Sequence, residues 1–122
     1  MWGGWQGSAV QAQYLVPNWS FEEYSNCPEE ANQLNGNVTG WSTSAPSPDY
    51  FNECGTSADY GIPSNRLGFQ WAAEGSGYAG VVTYVQNVAH AREIIYAQLL
   101  MPLTIGVPAY LSMKIALGGF SN

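Results

Sequence analysis

The sequence predicts an all-β fold, and three observations carry that expectation. Fourteen glycines and seven prolines punctuate 122 residues at short intervals, as turns between short strands require. Aromatic residues make up 14% of the chain, and charged residues only 10% against roughly 25% in an average soluble domain. Apolar and polar residues alternate over runs of a few positions, the period of a strand with one buried face. Disorder, the other reading of a Gly- and Pro-rich chain, conflicts with 46% apolar content. The length suits one domain with one hydrophobic core.

The elements follow in order. Tyr14-Leu-Val-Pro-Asn-Trp-Ser-Phe-Glu-Glu-Tyr24 reads as an opening strand with a Pro-Asn turn, in which Phe21 and Tyr24 point inward and Glu22 points outward. Residues 25–65 are rich in Asn, Ser, Pro and Gly, with short strand candidates at Val38–Ser42 and Asp49–Glu53 between turn signals. From Arg66 the pattern tightens: Leu67, Phe69 and Trp71 share one face of a strand. A Glu74–Gly77 turn precedes Tyr78–Val85, which reads as a buried strand by length and β-branching. Ala89–Leu100 leans helical by propensity, but its second half alternates and reads as a strand. Ala109–Leu117 is the strongest strand pattern in the chain. Tyr110, Ser112, Lys114 and Ala116 lie on one face, and Leu111, Met113, Ile115 and Leu117 on the other.

Charge and cysteines bound the function. Arg66, Arg92 and Lys114 are the only basic residues against nine acidic ones, giving a net charge of −6. That balance excludes nucleic acid, whose phosphates need Lys or Arg to replace released counterions, and anionic membrane surfaces likewise. No run of 18 apolar residues is present, so membrane insertion is not expected. Cys27 and Cys54 fit either one disulfide in a secreted protein or two free buried thiols. Ser8-Ala-Val-Gln-Ala12 offers small residues where a signal peptidase reads, although no apolar stretch precedes it; residues 1–13 are a signal remnant or an N-terminal arm. Composition and cysteines together favour secretion or display at the cell surface.

The order of motifs then becomes informative: Leu15-Val-Pro-Asn-x-Ser-Phe-Glu-Glu-Tyr24, Cys27-Pro28, Gly40-Trp41, Pro48-Asp-Tyr-Phe-Asn-x-Cys54, Pro63-x-Asn65, Gly68-Phe-Gln70, Gly75-x-Gly-Tyr-Ala-Gly80, Arg92-Glu93, Gln98-Leu99 and Tyr110-x-x-x-x-Ile-Ala-Leu117. Over residues 14–122 this resembles a carbohydrate-binding-module-like domain found near the N-termini of large secreted and cell-surface proteins of Bacteroidetes. Those proteins often carry gliding-motility-type sorting domains or OmpA-like domains further along. The resemblance implies a jelly-roll β-sandwich of the galactose-binding type, paired cysteines, and a role in adhesion or display instead of bond-breaking. Trp19 departs from the family's usual Pro. Such domains also continue for several strands past the position matching Asn122, so the sandwich is expected to be incomplete within this chain. Its sheet is then completed by further chain, by another copy or by another protein.

Candidate sites follow from residue type. Trp41, Tyr50, Phe51, Trp71 and Tyr78 have the chemistry of a sugar-stacking platform, in which aromatic faces hold the apolar face of a ring and polar neighbours such as Asp49 satisfy its hydroxyls. Trp41, Phe69 and Tyr78 are expected in the core; Tyr50, Trp71 and Trp19 are the better candidates for an exposed platform. Glu22, helped by Asp49 or Asn18, is a candidate ligand of a structural calcium ion, set against the plainer reading of two solvated strand carboxylates, Glu22 and Glu23. No Ser-His-Asp arrangement surrounds His90, the single histidine, and Gly75-Ser-Gly77 lacks the helix and Lys of a phosphate loop. Asp49 with Glu53 or Asp59 is a carboxylate pair only in the arithmetic sense. A non-catalytic recognition domain for glycan or another surface ligand is therefore expected. A structural subunit of an extracellular assembly, self-associating or joined to a larger complex, is the alternative.

Overall fold

The computed structural model describes residues 14–45 and 47–118. These residues are all-β, without a helix, and hold six short strands: β1 Trp41–Thr43, β2 Asp49–Asn52, β3 Ser64–Asn65, β4 Gly68–Phe69, β5 Gly77–Gly80 and β6 Ile95–Ala97. They pair antiparallel in twos, β1 with β6, β2 with β5 and β3 with β4. The registers run Trp41↔Ala97, Asp49↔Gly80 and Ser64↔Phe69. Backbone bonds extend the pairing: the Ser44 N–H donates to the Ile94 carbonyl at 3.1 Å, and the Glu93 N–H to Val82 at 2.9 Å.

β2 is covered on both faces, and all four of its residues are buried. Tyr50 packs toward Leu34 and Val38, with Tyr24 at 5.4 Å between ring centres. Phe51 turns the opposite way, toward Tyr60 and Tyr78 at 6.0 and 5.3 Å. The partner strand makes room for both rings by lacking side chains: a Cβ at Gly77 would lie 2.7 Å from the Tyr50 hydroxyl, and one at Gly80 2.5 Å from the Phe51 ring. Close packing of this kind leaves no slack for an added methyl group.

Cys27 and Cys54 are joined in a disulfide with Cα atoms 5.6 Å apart, tying the 25–30 segment to the end of β2. Beside it the Glu29 carboxylate accepts hydrogen bonds from the Thr56 N–H, the Thr56 hydroxyl and the Ser57 N–H, at 2.9, 3.0 and 3.0 Å. A disulfide fits an oxidising extracellular compartment. Among the described residues no helix is long and apolar enough to cross a membrane.

Four expectations change. The opening segment is not a strand. Asn18 and Phe21 have φ of 43° and 62°, the Phe21 N–H closes a turn onto the Asn18 carbonyl at 3.0 Å, and only Tyr24 bridges to a neighbour, Val38. The cause is the Asn18 side chain. Its Nδ2 donates to the Glu23 and Thr39 carbonyls, and its Oδ1 accepts from the Glu23 N–H, so it takes backbone groups that a ladder would use. The expected strand at 66–71 is instead part of a tight hairpin over residues 64–69, with Arg66 and Leu67 as the connection and the Asn65 Oδ1 accepting from the Leu67 N–H. This leaves Phe69 exposed, not in the core. The strand at 78–85 is regular only as far as Gly80. Finally, Ala109–Leu117 forms no strand. A strand needs a partner, and among the described residues none is hydrogen-bonded to it. The expected signal remnant at 1–13 lies outside the described residues.

Candidate functional site

Tyr50 is fully buried, which corrects its expected place on an exposed platform. Its hydroxyl donates to the Phe21 carbonyl and accepts from Asn52 Nδ2, both at 2.7 Å. Burial pushes the phenol far above its ordinary range. Asp49 is likewise a core group and not a surface acceptor for sugar hydroxyls. Its Oδ1 accepts from the Asn32 N–H at 2.8 Å, and its Oδ2 lies 3.9 Å from Arg66 Nη1. Burial raises the Asp49 carboxyl, although the Asn32 N–H and Arg66 both pull it down.

The Asp49 shift has a definite sign in stability. Its folded value lies above the ordinary 3.8, so between the two the folded state binds more protons. The contribution is greatest below 3.8 and is lost as pH rises through the folded value. Glu29 acts oppositely, since the Thr56 N–H holds it below its ordinary 4.5. Its contribution is full above 4.5 and is lost as pH falls. Asp49→Asn keeps an oxygen for the Asn32 N–H and removes the buried charge. Denaturant unfolding is expected to show this variant gaining on the wild type as pH rises from about 4 to 7. A constant difference over that range contradicts the assignment.

Glu22 and Asn18, the calcium candidates, serve as clamps on the backbone. The Glu22 Oε1 accepts from the Ser76 and Gly77 N–H groups at 2.8 and 3.0 Å. Gly75, at φ 66°, has no room for a Cβ beside that carboxylate. Asn18 is committed through both side-chain atoms, as above. Calcium takes six to eight oxygens, and among the described residues no group of three or more His, Cys, Asp or Glu side chains gathers around one point. Trp41 is part-buried with its Nε1 donating to the Asn18 carbonyl at 2.9 Å, and Tyr78 is part-buried with Asn65 Nδ2 donating to its hydroxyl at 2.7 Å.

The surface is where this chain departs from an ordinary domain. Trp71 and Phe69 are exposed and meet edge to face, with centres 6.4 Å apart. Trp19 and Tyr14 are exposed and stacked, with centres 5.1 Å apart. Beyond β6 nearly every large apolar side chain faces solvent. Ile105 and Leu117 are 100% exposed, Tyr110 96% and Ile115 86%. The alternation at 109–117 was legible in the sequence, but the exposure of Leu100–Val107 was not. Lone exposed apolar residues need no explanation, whereas a contiguous exposed apolar run is unusual.

In comparisons with known proteins, no family model, no curated protein and no solved structure matches this chain.

Proposed function

We propose that this chain is a non-catalytic module of a secreted or cell-surface protein, a jelly-roll sandwich whose sheet is completed by a strand from a second copy of the chain. One observation carries the reading: Ala109–Leu117 has the alternation of a strand, no strand partner among the described residues, and both faces in solvent. An unpaired apolar strand presents a row of free N–H and C=O groups, the feature that β-augmentation uses. The disulfide and the low charge agree with an extracellular setting, and the motif order resembles the Bacteroidetes surface-protein domains described above. Light scattering on the purified chain tests the reading. Mass above 13.2 kDa that grows with concentration is expected, and Leu111→Glu with Ile115→Glu should abolish it. A wild-type chain that stays monomeric and soluble at every concentration defeats the proposal.

A second reading, recognition of glycan, is favoured by the two exposed aromatic pairs. Trp71, 54% exposed beside Phe69, and Trp19, 40% exposed on Tyr14, offer faces on which a sugar ring can stack. Glycan screening with Trp71→Ala as the control tests it, and binding that survives this substitution and Trp19→Ala removes the aromatic pairs from the account.

A further inference from the structure

We infer that the outer edge of β6, continued to Leu99, is the acceptor on which Ala109–Leu117 of a second copy adds as a strand. The inference rests on the reading that copies of this chain complete one another, and names the surface that the donated strand meets. Register fixes which way the backbone groups of β6 point. The Ser44 N–H donates to the Ile94 carbonyl at 3.1 Å, in line with the pairs Thr43↔Ile95, Ser42↔Tyr96 and Trp41↔Ala97. Bonded and unbonded pairs alternate along an antiparallel ladder, so Tyr96 faces β1, while Ile95, Ala97 and Leu99 turn their N–H and C=O groups to the other side. Glu93 obeys the same alternation: its N–H points to that outer side, where the Val82 carbonyl takes it at 2.9 Å. Leu100 points back to the β1 side, where the Leu15 carbonyl takes its N–H at 2.8 Å. Between these two fixed points, among the described residues, no strand lies along the outer edge. At roughly 3.4 Å per residue the open stretch is about 17 Å long, an ordinary strand length and a site for strand addition.

The occupant is a second copy because the chain itself carries the complementary half of the ladder. Ile95 packs against the buried cluster of Leu34, Val38 and Tyr50, and Ala97 is half-buried on the same face of β6. Ile94, Tyr96 and Leu100 are exposed on the opposite face. The donor has matching parity, with Leu111, Met113 and Ile115 on one face and Tyr110, Ser112 and Lys114 on the other. An antiparallel register sets Leu111, Met113 and Ile115 beside Leu99, Ala97 and Ile95, with the long Met113 next to the smallest acceptor residue. The apolar face of the donor then extends the core face of β6. Lys114, the only charge in the donor, comes beside the exposed Tyr96 ring, a cation–π placement. The donor does not turn back onto its own β6. Its segment runs from Leu100, tied to Leu15 on the β1 side, to Gly118, where an added Cβ would lie 3.4 Å from Leu67 in the β3–β4 connection. Donor and acceptor are different surfaces, so the copies join head to tail.

Light scattering on two complementary variants of the whole chain tests this. Ala97→Pro removes an outward N–H and leaves the bonds of Tyr96 to β1 in place, whereas Leu111→Glu with Ile115→Glu disables the donor. Each variant alone is expected to stay at 13.2 kDa where the wild type is heavier. An equal mixture should give a species of twice that mass and no more, because one intact donor meets one intact acceptor. Residue-resolved hydrogen exchange on the wild type reads the same edge without a substitution. The Ile95, Ala97 and Leu99 amides should exchange freely in the monomer and about tenfold or more slowly in heavier species, with Tyr96 protected in both. Free exchange at those three amides in assembled wild type overturns the inference and leaves self-assembly in place. So does an Ala97→Pro chain that associates like the wild type, or a mixture of the two folded variants that stays monomeric. A wild type that is monomeric at every concentration overturns both.

Discussion

Phe51→Ala is expected to lower stability by about 3–5 kcal/mol, the range for truncating a fully buried aromatic side chain. Phe51 is fully buried between Tyr60 and Tyr78, over a strand whose Gly80 leaves space for its ring. Nothing nearby can collapse into the void, because β2 is packed on both faces and Gly80 has no side chain to advance. Folded domains hold only about 5–15 kcal/mol in total, so a loss of this size removes much of the margin. Urea unfolding monitored by tyrosine and tryptophan fluorescence should show the midpoint falling sharply, and Phe51→Leu should fall much less. A shift under about 1 kcal/mol would mean that Phe51 is not at the centre of the core.

Removing the disulfide is the other large effect. The bridge joins residues 27 positions apart, and the chain-entropy model gives a loop of that length roughly 3–4 kcal/mol. Cys27→Ser with Cys54→Ser, or reduction of the native protein, should lower the unfolding midpoint accordingly. The Glu29 contacts to Thr56 and Ser57 span the same junction and remain in the reduced chain. Being solvent-exposed, they replace little of the loss. Unchanged unfolding after complete reduction would show that the bridge constrains nothing that folding does not already hold.

What could be read from the sequence was local. Asp49–Asn52 and Ile95–Ala97 fall inside segments that alternation and turn signals mark as strands, and Trp41–Thr43 and Gly77–Gly80 each overlap another. Phe21 and Tyr24 are half-buried and Glu22 is exposed, as expected, but through a turn and not through a strand. The difference lies in Asn18, whose amide satisfies backbone groups at Glu23 and Thr39, a contact 21 positions away that no local pattern encodes. Tyr50 and Phe51 are adjacent aromatics on opposite faces, and alternation assigns one of them to solvent unless both faces are covered. The clamp of Glu22 on the 75–77 turn spans 54 positions and was equally hidden. At 109–117 the pattern states only what the segment prefers, while pairing depends on a second strand.

The central claim, that Ala109–Leu117 pairs with a strand from a second copy of the chain, is tested most directly by hydrogen exchange across those amides, read with light scattering on the same samples. Open exchange is predicted in the 13.2 kDa monomer and protection in every heavier species, with both lost together in the Leu111→Glu and Ile115→Glu variant. Amides at 109–117 that stay open in an assembled species, or that are protected in a lone monomer, would contradict it.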